Sequence, residues 1–233
     1  MDQHHRRRLR AAGCEAPGLD SDDWSLATGG LPDWWHERGN ALYLAPGASL
    51  PDRVLADLAT YPVSDVLIAV GSAHPHLSRL LVGGDGAVVF LDRDVVLTAG
   101  EIYCGADSQI VLHGPVTATR SAALDARNGG TIVTGPDQLW AAHVQISTDD
   151  MHRLADRVTG QRINPFGGHV RLGSHVWLAR EAAVIGHADI GDGAVVGMRS
   201  LVRGQKVAAH TAVAGVPARV VREDISWNED DLP

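Results

Sequence analysis

The sequence predicts an all-β solenoid, a parallel β-helix with a small N-terminal α/β module and a short C-terminal extension. Three observations carry that prediction. Successive hexads place an aliphatic residue at one phase: Leu172, Leu178, Val184, Ile190, Val196 and Val202. The next position holds Gly173, Ala179, Ile185, Gly191, Gly197 and Arg203, mostly small residues. Four places on from the aliphatic phase sit Val176, Ala182, Ala188, Ala194 and Ser200, small or aliphatic until Lys206 ends the run. A period of six fits neither the 3.6 residues of a helix turn nor the two of an alternating strand. It describes a chain that turns a corner every six residues, so that about 18 close a triangular coil. The aliphatic residue then points inward, and the small one four on fits beside it where a larger one would clash.

Composition sets the bounds. The 233 residues suffice for one solenoid plus a small appendage. A content of 45% hydrophobic and 5% aromatic residues, with 26 glycines, suits short strands and tight corners. No apolar run reaches the roughly 20 residues that span a bilayer, so membrane insertion is not expected. No apolar stretch follows the basic residues 1–10, so no signal peptide is expected and a cytoplasmic location is. Cys14 and Cys104 give neither a disulfide framework nor a zinc spacing, and Cys104 reads as structural. A net charge of −8 argues against nucleic-acid binding, and Arg6-Arg7-Arg8 reads as a solvated tail.

Residues 1–60 lack the hexad and form the N-terminal module, packing on the first coil. Residues 20–35 are polar and tryptophan-bearing, with Gly29-Gly30 and Leu31-Pro32 as breakers. A short strand is expected at 41–44 and a short helix at 52–58, capped by Ser49 or Asp52. The β-helix is expected over 61–206. Its early coils use β-rich segments at 66–70, 87–91, 95–98, 109–112, 131–134 and 144–146, with the hexad blurred but recoverable. A polar, charged stretch at 147–168 leaves the repeat before regular coils resume at Val170. A loop ejected from a regular solenoid is where function tends to sit. The extension at 207–233 reads as a short helix or an extended tail, ending in Asn228-Glu229-Asp230-Asp231.

Three ordered motifs join the hexad. They are His175-Val176-Trp177-Leu178-Ala179, Gly197-Met198-Arg199-Ser200-Leu201-Val202, and Ala214-Gly215-Val216-Pro217-Ala218-Arg219-Val220-Val221-Arg222. They resemble motifs of the hexapeptide-repeat acyltransferases, and a left-handed coil follows from that resemblance. The segment Ser147-Thr148-Asp149-Asp150-Met151-His152, continuing through Thr159-Gly160, Arg162 and Ile163-Asn164-Pro165, resembles one found in bacterial polysaccharide O-acetyltransferases of that family. There its histidine is the general base, which assigns that role to His152. Imidazole, with an ordinary pKa near 6.5, is mostly free base at neutral pH. Asp149, Asp150, Asp156 or a backbone carbonyl would orient it, and Asp150 is taken as the candidate.

The resemblance implies further that Trp177 lines the cleft for acetyl-CoA and acceptor. Its hexad neighbours face inward, so its indole faces out, where a neighbouring subunit would equally cover it. Acetyl-CoA is expected along the last coils. Ala179, Gly197 and Ser200 would admit the pantetheine arm, Pro217 marks the donor-binding end, and Arg199, Arg203, Lys206, Arg219 and Arg222 would meet the phosphates. The chain departs from the family at Met198-Arg199, at Val216, and at Arg203-Gly204-Gln205-Lys206-Val207, which is one residue longer.

His169, His175 and His187 share one hexad phase, which raises a γ-class carbonic anhydrase reading; the family's His-x4-His pair is missing there, and no metal is expected. The expected protein is a homotrimer that transfers an acetyl group from acetyl-CoA to a carbohydrate hydroxyl. Acetylation of an amine, or a non-enzymatic solenoid, stands as the alternative.

Overall fold

Burial follows the hexad. Leu172, Leu178, Val184, Ile190, Val196 and Val202 are all at most 1% exposed, a single inward ladder. The computed structural model describes residues 1–164 and 166–230; Pro165 and the end of the acidic tail, including Asp231, lie outside the described residues. Among the described residues the strands form sheets of nine, six and seven strands, the walls of a triangular prism. Each coil visits the nine-stranded, then the seven-stranded, then the six-stranded wall, as in His169–Leu172, Val176–Leu178 and Ala183–Ile185. Neighbouring coils pair in parallel, and the fold is the left-handed β-helix that the sequence predicts.

The regular hexad belongs to the late coils. There Val170 pairs with Ala188 and Val184 with Val202, steps of 18 residues. Earlier, Val96 pairs with Thr117 and Thr117 with Leu139, steps of 21 and 22. Longer strands such as Gly100–Cys104 and Leu77–Val82 take up part of the excess, which is why the repeat blurs. Parallel pairing starts at Ala41–Leu44 on Leu67–Val70 and ends at Val195–Val196 with Ala212–Ala214, so the prism reaches past both ends of 61–206. Beyond it, Arg219–Arg222 folds back antiparallel on Ala212–Ala214, and residues 223–230 after it hold no helix or strand.

The N-terminal module covers more than the first coil. The helix Gln3–Ala11 is capped by the Asp2 carboxylate, which accepts the His5 amide at 2.8 Å. Its Leu9, with Cys14, Leu19 and Trp24, packs on the outer side of the nine-stranded wall at Tyr43, Ala69, Phe90 and Val111. The helix Asp52–Leu58 closes the open end of the prism, adding Val54 and Leu58 to the interior core beside Trp35. The arginine run is tied down instead of solvated: Arg6 donates to the Ser21 carbonyl and to Asp22, and Arg8 to the Asp65 carbonyl at 2.7 Å. Cys104 is fully buried, and burial pushes its thiol up to about 12, beyond nucleophilic use. No helix among the described residues is long and apolar enough to cross a membrane.

Candidate functional site

The excursion is an arm built on a buried polar base. It leaves the prism after Gln145–Ser147, on the six-stranded wall, and returns at His169–Leu172 on the nine-stranded wall. Thr148 and Gly168 close its neck: the Gly168 amide donates to the Thr148 carbonyl at 3.1 Å, and a Cβ at Gly168 would sit 2.3 Å from that oxygen. Asp149 is 2% exposed and satisfied on both oxygens, accepting the Met151 amide at 2.8 Å and the Asn128 side-chain amide at 2.6 Å. Buried polar groups hold a segment firmly only when fully paired, and these are.

Further out, the arm is a short hairpin. Ala155 and Arg162 form an antiparallel bridge, and Asp156 accepts the amides of Val158 and Thr159 at the tip. Asn164, 8% exposed, clamps the near end. Its Oδ1 accepts the Leu154 amide at 2.8 Å, and its Nδ2 donates to the His152 carbonyl at 2.7 Å. The backbone of His152 is therefore fixed, while its imidazole is exposed and has no hydrogen-bond partner among the described residues.

Asp150 does not orient that imidazole. Both its oxygens receive the Arg203 guanidinium, at 2.8 and 2.6 Å, which binds the arm to the six-stranded wall. The bonds from Arg203 hold the Asp150 carboxyl below the usual carboxylate range, against some burial. A depressed carboxylate stabilises above its ordinary pKa near 3.9 and loses that contribution as pH falls through the depressed value. The anchor is thus intact at neutral pH. Hydrogen exchange at residues 151–154 is expected to quicken only below about pH 4, and quickening near pH 6 would contradict this anchor.

The residues expected to hold the donor divide between places. Ala179, Gly197, Ser200 and Pro217 gather at the corner between the seven- and six-stranded walls. Ser200 is 1% exposed, and its Oγ accepts the Gly215 amide at 3.0 Å, so it packs the corner and does not line a groove. Gly197 is small because the next coil is close: a Cβ there would lie 3.1 Å from that of Ala214. Among the described residues the amides of Arg180 and Met198, one step along two stacked turns, have no hydrogen-bond partner.

The cations do not converge on this corner. Arg199 lies there but pairs with Glu181 at 2.7 Å, Arg203 holds Asp150 from the six-stranded wall, and Lys206 stands on the nine-stranded wall, 3.6 Å from Asp189. Arg222 is exposed on the strand that edges the seven-stranded wall, as is Arg219, which donates to the Ala218 carbonyl at 2.9 Å.

Trp177 faces out of the seven-stranded wall, 36% exposed, in register with Leu139 and Val195. His152 hangs from the corner between the other two walls, so one chain does not bring the two together. The histidines of shared phase also separate: the rings of His169 and His187 lie 5.4 Å apart beside the arm, whereas His175 turns to Asp137 and Trp227 at another corner. Among the described residues no three His, Cys, Asp or Glu gather as a metal site requires. A cavity of about 660 Å³ under the N-terminal segment is lined by Glu15, His113, Arg171 and Ser174 and includes neither His152 nor Trp177.

No family model matches the chain. A protein of Escherichia coli (strain K12) named as a lipopolysaccharide biosynthesis O-acetyl transferase, WbbJ, is 34% identical over 101 residues, 40% of this chain and 50% of that protein. A chloramphenicol acetyltransferase of Morganella morganii is 37% identical over 65 residues, 28% of this chain and 30% of that protein. The chain thus spans about half the length of the first relative and less than a third of the second. Among solved structures, the polySia-specific acetyltransferase NeuO superposes with a TM-score of 0.63 at 20% identity, covering 72% of this chain and 77% of that one. The polysialic acid O-acetyltransferase OatWY gives 0.63 at 24% identity, covering 72% and 80%. These two share the fold, and all four proteins are named acetyltransferases.

Proposed function

We propose that the chain, on its repeat and its fold, is a hexapeptide-repeat acyltransferase and that it moves an acetyl group from acetyl-CoA to a carbohydrate hydroxyl. One observation carries the reading. The arm fixes the backbone of a histidine through a fully paired polar base yet leaves its imidazole free, which suits a base awaiting a substrate. His152 takes the hydroxyl proton as the oxygen attacks the thioester carbonyl. The acetyl carbon gains a C–O bond, the C–S bond breaks, and CoA leaves as its thiolate, which is then protonated. The turn amides of Arg180 and Met198 lie where the pantetheine arm is expected and would receive the oxyanion. No protein nucleophile enters, in keeping with the buried thiols of Cys14 and Cys104. The names of the O-acetyl transferase and polysialic acid relatives support a saccharide acceptor.

The working form is a homotrimer. His152 and Trp177 stand on different sides of one prism, and threefold packing sets the arm of one chain against the seven-stranded wall of the next. This geometry predicts complementation. His152→Ala and Trp177→Ala chains, each inactive alone, should regain activity when denatured, mixed in equal amounts and refolded. About a quarter of the sites would then pair an intact histidine with an intact tryptophan from different chains. A mixture no more active than its components would refute the shared site. Acetylation is tested with oligosaccharide, amino-sugar and chloramphenicol acceptors: product on the hydroxyl saccharide alone is expected. Transfer only to an amine, or no binding of CoA at millimolar concentration, would overturn the reading.

A further inference from the structure

The tail at residues 223–230 runs back across the corner that leads into Trp177. We infer that it is a strap that completes the aromatic wall of the site with Trp227, and that a protonated His175 is the latch that fastens it. The wall role rests on the proposed acetyl transfer; the latch rests on geometry alone.

His175 presents Nδ1 to the Asp137 carboxylate at 2.6 Å and Nε2 to the Trp227 carbonyl at 2.9 Å. Both partners are acceptors. A neutral imidazole carries one N–H and would turn a lone pair on the other oxygen, so both contacts form together only with imidazolium. His113 offers the contrast within the same chain. Its Nδ1 faces the Thr134 carbonyl at 2.6 Å, while its Nε2 accepts the Glu15 amide at 2.8 Å, the pattern of a neutral ring.

The Trp227 indole lies flat on His175, with ring centroids 3.9 Å apart and planes 7° from parallel, so the cation also meets an aromatic face. The indole Nε1 donates back to the His175 carbonyl at 3.1 Å, and the Ile225 amide donates to the His210 carbonyl at 2.9 Å. Trp227 thereby stands 6.1 Å from Trp177, centroid to centroid. The charged and titratable groups around His175 are Asp137 from the preceding coil, Glu229 from the strap, and His210 further along the corner, beyond Gly193.

Burial by itself would lower the His175 pKa. The Trp227 carbonyl and Asp137 outweigh it and hold the pKa above the ordinary histidine value. A pKa raised on docking makes the strap fully stable below the ordinary value and releases it as pH climbs through the raised one. A general base works only in its unprotonated form, so the proposed reaction itself favours higher pH. Acetyl transfer should then show a falling limb at high pH that follows release of the strap.

The experiment reads the strap first, without activity. Hydrogen exchange of the 223–230 amides, corrected for the intrinsic pH dependence, is followed from pH 5.5 to 9 in the full-length protein. Protection is expected to vanish along a single histidine titration. His175→Asn tolerates the positive φ of 56° at that corner and should abolish the protection at every pH, while Asp137→Asn should move the midpoint downward. Protection flat with pH, or untouched by His175→Asn, would overturn the latch. The rate is measured second. A falling limb that tracks strap release and disappears in Trp227→Ala supports the aromatic wall; a rate indifferent to strap release overturns it. Absence of transfer to every acceptor would defeat the proposed reaction and leave the latch to be judged by exchange.

Discussion

Replacing His152 with alanine should lower turnover by roughly 10²- to 10⁴-fold, the usual worth of a positioned acid–base group. Fold, assembly and CoA affinity should hardly change. The ring is exposed and hydrogen-bonds to nothing among the described residues, and it is the backbone of His152, not its side chain, that Asn164 grips. His152→Asn should be equally inactive, because an amide cannot accept the proton. Steady-state kinetics with acetyl-CoA, alongside light scattering of each variant, makes the measurement. Retention of more than about a tenth of native turnover would correspond to only ~1.4 kcal/mol of barrier, too little for a sole base. The role would then pass to another histidine. His143 is the next candidate, at an exposed corner with φ 63°.

The late coils were legible because their strands are about three residues long, so corner and core recur at one spacing. The arm was legible for the opposite reason: a charged run cannot face an apolar interior, so it had to leave. What the arm's side chains bind was not. Arg203 meets Asp150 from 53 residues away and Trp227 meets His175 from 52, and no local pattern marks either pair. The covering of the nine-stranded wall did leave a signal. Leu67–Val70 and Val88–Leu91 are continuous apolar runs buried on both sides, whereas His169–Leu172 alternates exposed and buried. Strands covered on both faces read as unbroken hydrophobic segments, and that contrast marks where the N-terminal module lies.

The donor cations illustrate a hazard particular to solenoids. Arg199, Arg203 and Lys206 are neighbours in sequence, and three or four residues along this chain turn it from a corner onto one wall and then onto the next. Residues one coil apart are the true neighbours, as Arg199 and Glu181, at a separation of 18, demonstrate. A basic cluster in the sequence therefore becomes a scatter in space. If the proposed reaction holds, the phosphate-binding set for CoA would lie down a column of coils or across the boundary of the proposed trimer.

Trp140→Ala should cost about 3–5 kcal/mol of stability, the largest loss expected from one interior substitution here. Trp140 is fully buried on the inner side of the seven-stranded wall, where the ladder otherwise carries smaller residues. It pairs in register with Ala118 of the coil before and Leu178 of the coil after, and the small Ala118 leaves room for the indole. Truncation would open a void that the alanine cannot fill. It would also remove the indole N–H that reaches the Oε1 of buried Gln138 at 3.4 Å. Urea midpoints at one fixed protein concentration provide the test, since the proposed trimer would add to apparent stability. Ala118→Leu should recover part of the loss in the Trp140→Ala background and destabilise the native protein by overpacking, a coupling that a double-mutant cycle isolates. A loss under about 1 kcal/mol would mean that the coils collapse onto the void, and the interior would then be more compliant than its close packing implies. Well below the unfolding transition, Trp140→Ala should keep turnover within a few-fold of native, because the indole touches neither the arm nor the outer wall. That separates it from His152→Ala, where stability should stay and chemistry should go.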